Sequence, residues 1–233
     1  MLLQIKDSCV SYGKSRVVNG ISLELSGDEK FLVLGRNGVG KTTFMKSIMG
    51  LLPMDSGSMF FEDKDVTKTK AHQRSQMGIA YVPQGREIIP MLTVKENLQL
   101  GAISHKNVKF NEKMEEVLTY LPDLTPHLKR KGGVLSGGQQ QQLAIARALM
   151  SEPKVLILDE PTEGIQPNIV MGIADILNRY QKAKHIPLII VEQNLHFARR
   201  IGDKFMIIQK GAVVKEGVIS ELTDEVSAKY ISV

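Results

Sequence analysis

The sequence predicts an α/β fold built on a mostly parallel sheet, with an antiparallel β part near the N-terminus and an inserted helical lobe. Three patterns support this fold class. Residues 21–25 alternate strictly between apolar and polar side chains, as a half-buried antiparallel strand does. Residues 155–158 form a continuous apolar run, which is typical of a parallel strand covered on both faces. Residues 91–130 show helical periodicity without a strand signal.

We expect one domain over residues 1–233, divided into three parts. The predicted parts are an antiparallel β part at about 1–30 and 57–66, a parallel core at about 31–56, 77–90 and 150–233, and a helical lobe at about 91–149.

Composition indicates a globular protein of a reducing compartment. Hydrophobic residues make up 42% of the 233 residues, which is enough for a substantial core. The single cysteine, Cys9, excludes an internal disulfide. The longest apolar runs are strand-sized, far short of the roughly 20 residues of a membrane span, and the N-terminal residues lack a signal-peptide hydrophobic region. We therefore expect a cytoplasmic protein.

The net charge of +5 does not by itself indicate nucleic-acid binding. Basic residues are scattered along the chain, and local clusters such as residues 129–131 are short. The absence of Trp and the presence of only five Tyr leave few rings on which bases could stack. We expect a generally solvated surface and no nucleic-acid partner.

The first β elements precede the main motif. Residues 2–25 predict two or three strands, with turns at Gly13 and at Asn19-Gly20, and residues 57–61 predict another strand. Tyr12 ends one of the early strands. Its ring either stacks on an adenine or is an ordinary edge-strand aromatic, and the sequence leaves both interpretations open.

Residues 35–43 match the phosphate-binding pattern G-x-x-x-x-G-K-[ST]. A buried strand is predicted before them at residues 31–34, and a helix after them as far as Met49. Glycines in such a loop let main-chain N–H groups approach a phosphate closely. A chance glycine-rich turn is the alternative, and the flanking strand and helix argue against it. The nucleotide-binding candidates in this loop are Gly35, Arg36, Asn37, Gly38, Val39, Gly40, Lys41, Thr42 and Thr43.

Within this loop, two side chains have specific expected roles. Lys41 is expected to reach the β- and γ-phosphates of a nucleotide, and the Thr42 hydroxyl to bind Mg²⁺.

Gln84 follows a second buried strand, predicted at residues 77–82, at the edge where open α/β sheets bind ligands. We expect it to contact Mg²⁺ or the attacking water rather than remain a solvated loop residue.

Capping patterns mark the helices of the inserted lobe. Thr93 and Glu96 form a capping box that opens one helix, and a second helix is predicted at about residues 111–121. A third helix opens at residues 135–139 and extends through residue 149.

The start of that third helix has two interpretations. Ser136 and Gln139 form a sound capping box on structural grounds alone. However, Gly137 and Gly138 in the first turn cost about 2 kcal/mol of helix propensity. Glycines there allow main-chain donors at the helix N-terminus to approach a phosphate closely. We therefore expect these four residues to bind nucleotide.

Asp159 and Glu160 directly follow the apolar run at residues 155–158. Two adjacent carboxylates at the carboxyl end of a buried strand are costly unless they bind something. Asp159 suits the acid that holds Mg²⁺ in a P-loop ATPase. Glu160 suits a general base that polarises the attacking water.

The remaining elements complete the parallel core. Residues 187–191 and 205–208 predict further strands, and a helix begins at Pro167. Residues 219–230 predict a short C-terminal helix packed on the core.

Taken together, these motifs resemble those of ATP-binding cassette (ABC) ATPases over essentially the whole chain. Residues 35–43 are similar to Walker A, Gln84 to the Q-loop, residues 135–139 (LSGGQ) to the family signature, and residues 155–160 to Walker B with its following glutamate. The resemblance implies a P-loop (RecA-like) ABC ATPase core with ATP and Mg²⁺ as cofactors. It also implies a head-to-tail dimer, in which each site joins the Walker motifs of one subunit to the signature of the other.

A closer resemblance is to importers for branched-chain amino acids and for urea. Residues 81–87 (YVPQGRE) resemble the Q-loop of both groups, whereas residues 135–149 and 159–167 look more like the urea-type ATPase subunit. The resemblance implies a second, non-identical ATPase subunit, two transmembrane permease subunits and an external solute-binding protein. The chain would then lie peripherally on the cytoplasmic face of the membrane. Pairing of the isolated chain with itself stays open.

The chain departs from the family pattern at three positions. Gln193 stands where the family has a switch histidine, and His196, one helical turn later, is expected to face solvent. Gln166 stands in place of the usual D-loop aspartate, and Gln142 in place of a common arginine. A glutamine at the switch can donate a hydrogen bond but cannot shuttle a proton as imidazole can. We expect a companion ATPase that has the histidine, and slower hydrolysis at this chain's own Walker site.

Two other functions compete with an energy-coupling subunit of an importer. Soluble ABC ATPases that act on DNA or ribosomes carry long coiled-coil insertions or two tandem cassettes, and neither fits in 233 residues. A P-loop kinase that phosphorylates a small molecule is disfavoured by the signature motif, because the resemblance implies that this motif completes the nucleotide site of a second subunit in a dimer.

Overall fold

The computed structural model describes residues 1–103 and 109–231, which form two sheets and eight α-helices in these ranges. The strands are β1 (Leu3–Tyr12), β2 (Ser15–Leu25), β3 (Lys30–Leu34), β4 (Ser56–Phe61), β5 (Lys64–Asp65), β6 (Ile79–Val82), β7 (Val155–Asp159), β8 (Leu188–Glu192), β9 (Lys204–Gln209) and β10 (Ala212–Val218). The helices are α1 (Lys41–Ile48), α2 (Ala71–Gln76), α3 (Val94–Ala102), α4 (Phe110–Tyr120), α5 (Gly137–Leu149), α6 (Pro167–Lys184), α7 (Leu195–Ile201) and α8 (Asp224–Tyr230).

The two sheets divide the strands as the sequence patterns predict. A four-stranded antiparallel sheet has the order β2-β1-β4-β5. A six-stranded sheet has the order β10-β9-β3-β8-β7-β6, in which only the edge strand β10 is antiparallel to its neighbour. The carboxyl ends of β3, β6, β7 and β8 therefore meet at one edge, where open α/β sheets bind ligands.

Each face of the six-stranded sheet supports its own hydrophobic core, because side chains alternate along a strand. In β3, Leu32 and Leu34 pack with the helical lobe and α6, whereas Phe31 and Val33 pack with α1 and the antiparallel sheet. The core strands β3, β7 and β8 are buried along nearly their whole length, which explains their continuous apolar runs.

The helices of the inserted lobe form where the capping patterns predict them. Thr93 Oγ1 accepts a hydrogen bond from the Glu96 N–H (3.2 Å), and Glu96 Oε2 accepts one from the Thr93 N–H (2.7 Å). α4 buries Met114, Val117 and Leu118, three of the residues with helical spacing. The lobe's core is continuous with one face of the six-stranded sheet, so the lobe is anchored on the site-bearing sheet.

A buried arginine, Arg74 on α2, closes the C-terminal end of α1. Its side chain is 2% exposed, and its guanidinium N–H groups donate to five main-chain carbonyls. The acceptors are Ser47 and Ile48 at the end of α1, and Val66, Thr67 and Thr69 in the connection between β5 and α2. A cation is favourable at a helix C-terminus because the last carbonyls lack main-chain donors.

Two local predictions were wrong. Asn19-Gly20 is not a turn but lies inside β2, where Gly20 adopts a φ of 64° next to a shift in the pairing register with β1. The C-terminal stretch is not one helix, because a short 3₁₀ turn (Ile219–Glu221) precedes α8 and Thr223 caps α8 separately. Within the described residues, no helix combines the length and apolarity that a membrane crossing requires.

Candidate active site

The loop between β3 and α1 needs glycine at two of its positions. Gly35 has a φ of 147° and Gly40 a φ of 108°, values that residues other than glycine rarely adopt. A Cβ atom at Gly35 would lie 2.5 Å from the Ile208 carbonyl oxygen, and one at Gly40 would lie 2.8 Å from the Val17 carbonyl oxygen. The loop is therefore fixed between β9 and β2. Main-chain N–H groups at such a helix start attract anions.

Lys41, the first residue of α1, is buried and has three partners. Its side chain is 3% exposed, and Nζ donates to the carbonyl oxygens of Gly35 (2.8 Å) and Arg36 (2.9 Å). Nζ also lies 3.3 Å from Glu160 Oε1. An ammonium has three N–H donors, so a phosphate can bind Lys41 only by exchanging with some of these contacts.

Asp159, the last residue of β7, is 1% exposed and only partly hydrogen-bonded. Tyr81 Oη donates to its Oδ2 (3.0 Å), while Oδ1 is a buried oxygen without a hydrogen-bond partner. Burial raises the pKa of Asp159 above its usual range, and the nearby hydroxyls of Thr42 and Tyr81 oppose that shift. Burial is also the main cause that raises the pKa of Tyr81.

These oxygens fit a Mg²⁺ ion that is shared with a nucleotide. A buried, unpartnered carboxylate oxygen beside a hydroxyl is the type of donor set that Mg²⁺ prefers. No group of three or more His, Cys, Asp or Glu residues suited to a metal ion occurs in residues 1–103 and 109–231. Mg²⁺ in nucleotide sites needs only one or two carboxylates because phosphates and water supply the rest.

Glu160, the residue after β7, has a strained backbone conformation and contacts the side chains of Gln193 and Gln84. Its φ is 50°, in a region that non-glycine residues avoid, and its N–H donates to the Val191 carbonyl (2.9 Å). Gln193 Nε2 donates to Glu160 Oε2 (2.9 Å), and Gln84 Nε2 is 3.5 Å from the same oxygen. Gln84 Nε2 donates more closely to Glu163 Oε2 (3.0 Å). The fold thus brings together Lys41, Gln84, Glu160 and Gln193.

The signature residues at the start of α5 form a separate group. The Ser136 and Gln139 side chains complete the predicted capping box, with Gln139 Oε1 accepting from the Ser136 N–H (3.0 Å). Gly137 and Gly138 open the helix. In the described part of the chain, no hydrogen bond or ion pair joins these four residues to Lys41, Thr42, Asp159 or Glu160.

The remaining candidates lie at the surface or at the rim of the loop. Tyr12 ends β1 with its side chain 49% exposed, so its ring is accessible for stacking. Arg36, Asn37 and Gly38 are exposed, and Arg36 Nε donates to the Ile231 carbonyl (3.1 Å). Val39 is half-buried and its carbonyl accepts from the Gly211 N–H (3.0 Å), while Thr43 is buried in α1.

The positions that depart from the family pattern have different surroundings. His196 is exposed, as expected, and Gln166 is exposed directly before α6. Gln142 is buried, and its Nε2 donates to Asp123 Oδ2 (3.1 Å) while its Oε1 has no partner.

Sequence reasoning missed two residues that contact the candidate site. Arg86 donates to Gln140 Oε1 on α5 (3.3 Å) and to the Glu163 carbonyl (3.4 Å), so it connects the signature helix with the loop after β7. Glu192 ends β8 and is buried, and burial raises its pKa although four hydrogen bonds act in the opposite direction. Glu192 was visible as an acid ending a core strand, the signal that singled out Asp159.

The chain is similar to known proteins along most of its length. The ABC transporter family model matches residues 18–163. The chain is 34% identical to the high-affinity branched-chain amino acid transport ATP-binding protein BraG of Pseudomonas aeruginosa, with 87% of each chain covered. It is 33% identical to the probable branched-chain amino acid transport ATP-binding protein LivF of Archaeoglobus fulgidus, with 91% of this chain and 90% of the relative covered.

Similarity extends to a protein with a different transport role and to solved structures. The lipopolysaccharide export system ATP-binding protein LptB of Escherichia coli K12 is 30% identical, with 98% of this chain and 95% of the relative covered. A crystal structure of the ADP conformation of an ATP-binding cassette of an ABC transporter superposes with a TM-score of 0.86 and 29% identity. That match covers 98% of this chain and 97% of the other.

Proposed function

The chain belongs to the ABC transporter family as an ATP-hydrolysing subunit, and we propose that it powers an importer of branched-chain amino acids or of urea and short amides. The observation that carries the amino-acid solute is the similarity to two ATP-binding proteins named for branched-chain amino acid transport. The direction of import is inferred from the resemblance of residues 81–87 to the Q-loop of importers. The stretches at residues 135–149 and 159–167 favour urea as the second candidate solute.

In this proposal, the loop at residues 35–43 and Lys41 bind the phosphates of ATP. Thr42 and Asp159 hold Mg²⁺, which would neutralise phosphate charge during transfer. Support comes from the buried, unpartnered Oδ1 of Asp159. Tyr12, with an exposed ring at the end of β1, stacks on the adenine.

Glu160 is the proposed general base for the attacking water. It follows Asp159 at the site edge, and its carboxylate contacts Lys41, Gln193 and Gln84. When phosphate takes Lys41, the contact between Lys41 and Glu160 weakens and Glu160 becomes free to accept a proton from water. Gln84 and Gln193 then position Glu160 and the water.

A complete site requires a second ATPase subunit. The signature residues 136–139 start a helix whose N-terminus suits a phosphate, yet no described contact joins them to this chain's own Walker residues. A head-to-tail dimer brings the signature of one subunit to the nucleotide of the other. Because Gln193 stands at the switch, we propose that the partner subunit has a histidine there and hydrolyses ATP faster.

The surface near Gln84 to Pro90 is the proposed docking site for the two permease subunits. Apolar side chains are exposed there and next to the two ends of α3. Ile89 is 40% exposed, Met91 before α3 is 71% exposed, and Ile103 directly after α3 is 71% exposed. A cleft of about 290 Å³ lies alongside, lined by Leu100, Gly101 and Arg147 among others. Docking would hold the chain peripherally on the cytoplasmic membrane face, and the external solute-binding protein would act through the permeases.

The test is uptake by the reconstituted transporter. We would purify the chain with its associated membrane subunits, place the complex in lipid vesicles, add the solute-binding protein, and measure ATP-dependent uptake of labelled leucine and of labelled urea. Saturable uptake of either solute that requires intact Glu160 is expected. ATP-dependent movement of lipopolysaccharide without uptake of either solute would contradict the proposal and favour an export role like that of LptB.

A further inference from the structure

A buried carboxylate connects the two loops beside Glu160. Glu192 is 2% exposed, and its Oε1 accepts hydrogen bonds from the Thr162 N–H (3.1 Å) and the Thr162 hydroxyl (2.6 Å). Its Oε2 accepts from the N–H groups of Gln193 (2.9 Å) and Asn194 (3.0 Å). Two donors for each oxygen satisfy a buried carboxylate, whose desolvation would otherwise be costly.

The two loops held by Glu192 are those that set the surroundings of Glu160. Thr162 follows Glu160 by two residues, in the turn after β7. Gln193 carries the amide that donates to Glu160 Oε2 (2.9 Å). Glu160 itself has a strained φ of 50°, which persists only when neighbouring groups hold the turn in place.

We propose that Glu192 is a positioning residue for ATP hydrolysis, which fixes the turn after β7 against the switch loop and so sets the Gln193–Glu160 contact. The inference rests on the proposed role of Glu160 as the general base. Glu192 does not touch the reacting atoms. It acts through Thr162 on one side and through the Gln193 main chain on the other.

The substitution Glu192→Gln tests this role with little change in volume. The new amide replaces one acceptor oxygen by an NH₂ group, which then faces N–H donors of the neighbouring loops. One loop must move away to relieve that contact, and the geometry around Glu160 changes. Misplacement of catalytic groups by about 1 Å costs roughly 100-fold in rate, so we expect kcat for ATP to fall at least 10-fold while KM changes less than 3-fold.

The experiment measures Mg-ATP binding and thermal unfolding of the full chain and its variants, and steady-state ATP hydrolysis of the complexes assembled with each of them. Thr162→Val removes one hydroxyl donor to Glu192 without altering Glu192, and Thr162→Ser keeps it. We expect Thr162→Val to lower kcat, Thr162→Ser to restore most of it, and the double variant Glu192→Gln/Thr162→Val to show less than additive loss. Glu225→Gln, which removes an exposed carboxylate of α8, is the matched control and should behave as wild type.

The possible results distinguish a positioning role of Glu192 from a purely structural role and from the absence of hydrolysis. Unchanged kcat in both Glu192→Gln and Thr162→Val would contradict the positioning role alone. A melting temperature that falls while kcat per folded molecule stays constant would assign Glu192 a purely structural role and also overturn the inference. If Glu192→Gln fails to fold, Thr162→Val and its serine counterpart decide. Wild type without any turnover in the assembled complex would instead contradict the hydrolytic function on which the inference rests.

Discussion

The two ends of α1 both carry a buried cation, but they satisfy it in different ways. At the C-terminal end, Arg74 donates all its N–H groups to five carbonyls of its surroundings. At the N-terminal end, Lys41 contacts two carbonyls and the carboxylate of Glu160, next to an Asp159 oxygen that has no partner. At the C-terminal end every donor of the buried cation has a carbonyl acceptor, whereas at the N-terminal end a buried carboxylate oxygen has no partner.

This difference separates a structural charge from one with a proposed function. Arg74 donates to carbonyls at the end of α1 and in the connection before α2. Under the proposed function, the contacts of Lys41 are exchanged for phosphate oxygens, and the Asp159 oxygen without a partner accepts a cation. A native protein keeps a costly, incompletely satisfied buried group where binding later compensates it. Substitutions at the two ends should therefore have opposite profiles of activity and stability.

The largest effect is expected for Glu160→Gln at the functional end. Removing the proposed base should lower kcat for ATP by about 10²- to 10⁴-fold, because the amide cannot accept a proton from water. Binding of ATP should remain, since the phosphate contacts are unchanged, and the closed dimer should accumulate. Hydrolysis assays together with size-exclusion chromatography in the presence of ATP measure both effects. Normal turnover by this variant would exclude Glu160 as the base.

The next effect is expected for Arg74→Met at the structural end. This change leaves five buried carbonyls without their donor, and such losses typically cost about 3–5 kcal/mol of unfolding free energy. For a chain of this length that corresponds to a decrease in melting temperature on the order of 10 °C. The KM for ATP should change less than about 2-fold, because Lys41 and the loop are untouched.

Arg74→Lys provides the matched comparison. An ammonium keeps the charge but supplies three donors in place of five, so the melting temperature should fall between those of wild type and Arg74→Met. Equal stability of all three proteins would show that water replaces the guanidinium, and that the C-terminal end of α1 is not held by Arg74.

Sequence patterns singled out the N-terminal end of α1 as a candidate site, whereas they did not single out Arg74 at the C-terminal end. Gly35 and Lys41 match the phosphate-binding pattern, and Asp159 and Glu160 follow a continuous apolar run, so these four residues are candidates from the chain alone. The core strands and the lobe helices also followed from apolar periodicity, whereas the order of the strands in the sheet did not. By contrast, Arg74 has no local pattern, because its five acceptors come from segments that only the tertiary fold brings together.

The same reason explains why Glu192 and Arg86 were missed. The proposed role of Glu192 depends on its hydrogen bond with Thr162. Thr162 is distant in sequence and becomes a neighbour only because β7 and β8 are adjacent in the sheet. Arg86 contacts Gln140 across the junction between the lobe and the core. Turn errors such as Asn19-Gly20 have a related cause, since a register shift inside a strand uses the same residues as a turn.

A smaller effect is expected for Asp159→Asn, and it should have the opposite sign to Arg74→Met. Burial raises the pKa of Asp159, so its ionised form is less favourable in the folded chain than in the unfolded chain. Without nucleotide, the asparagine variant should melt a few degrees higher than wild type near pH 7. It should lose most of the additional stabilisation that Mg-ATP gives wild type.

The pH dependence of this variant gives a second check on the sign. The destabilisation from Asp159 is fully present above its raised folded-state pKa and disappears as pH falls towards its unfolded value of 3.8. The difference in melting temperature between Asp159→Asn and wild type should therefore narrow as pH is lowered from 7 towards 4. An asparagine variant that melts below wild type at pH 7 and approaches it on acidification would mean that the Asp159 carboxylate is already satisfied in the fold.

The smallest effect is expected for Gln193→His, which tests whether the residue at the switch position limits the rate of ATP hydrolysis. Gln193 donates to Glu160 (2.9 Å), and an imidazole can make that contact and also transfer a proton near neutral pH. In the assembled complex we expect a several-fold increase in ATP turnover. Gln193→Asn, which shortens the amide without adding an imidazole, and His196→Gln, which changes an exposed neighbour, should give no increase. An unchanged rate in Gln193→His would show that the switch position does not limit hydrolysis, and that the slower step at this Walker site lies in dimer closure or product release.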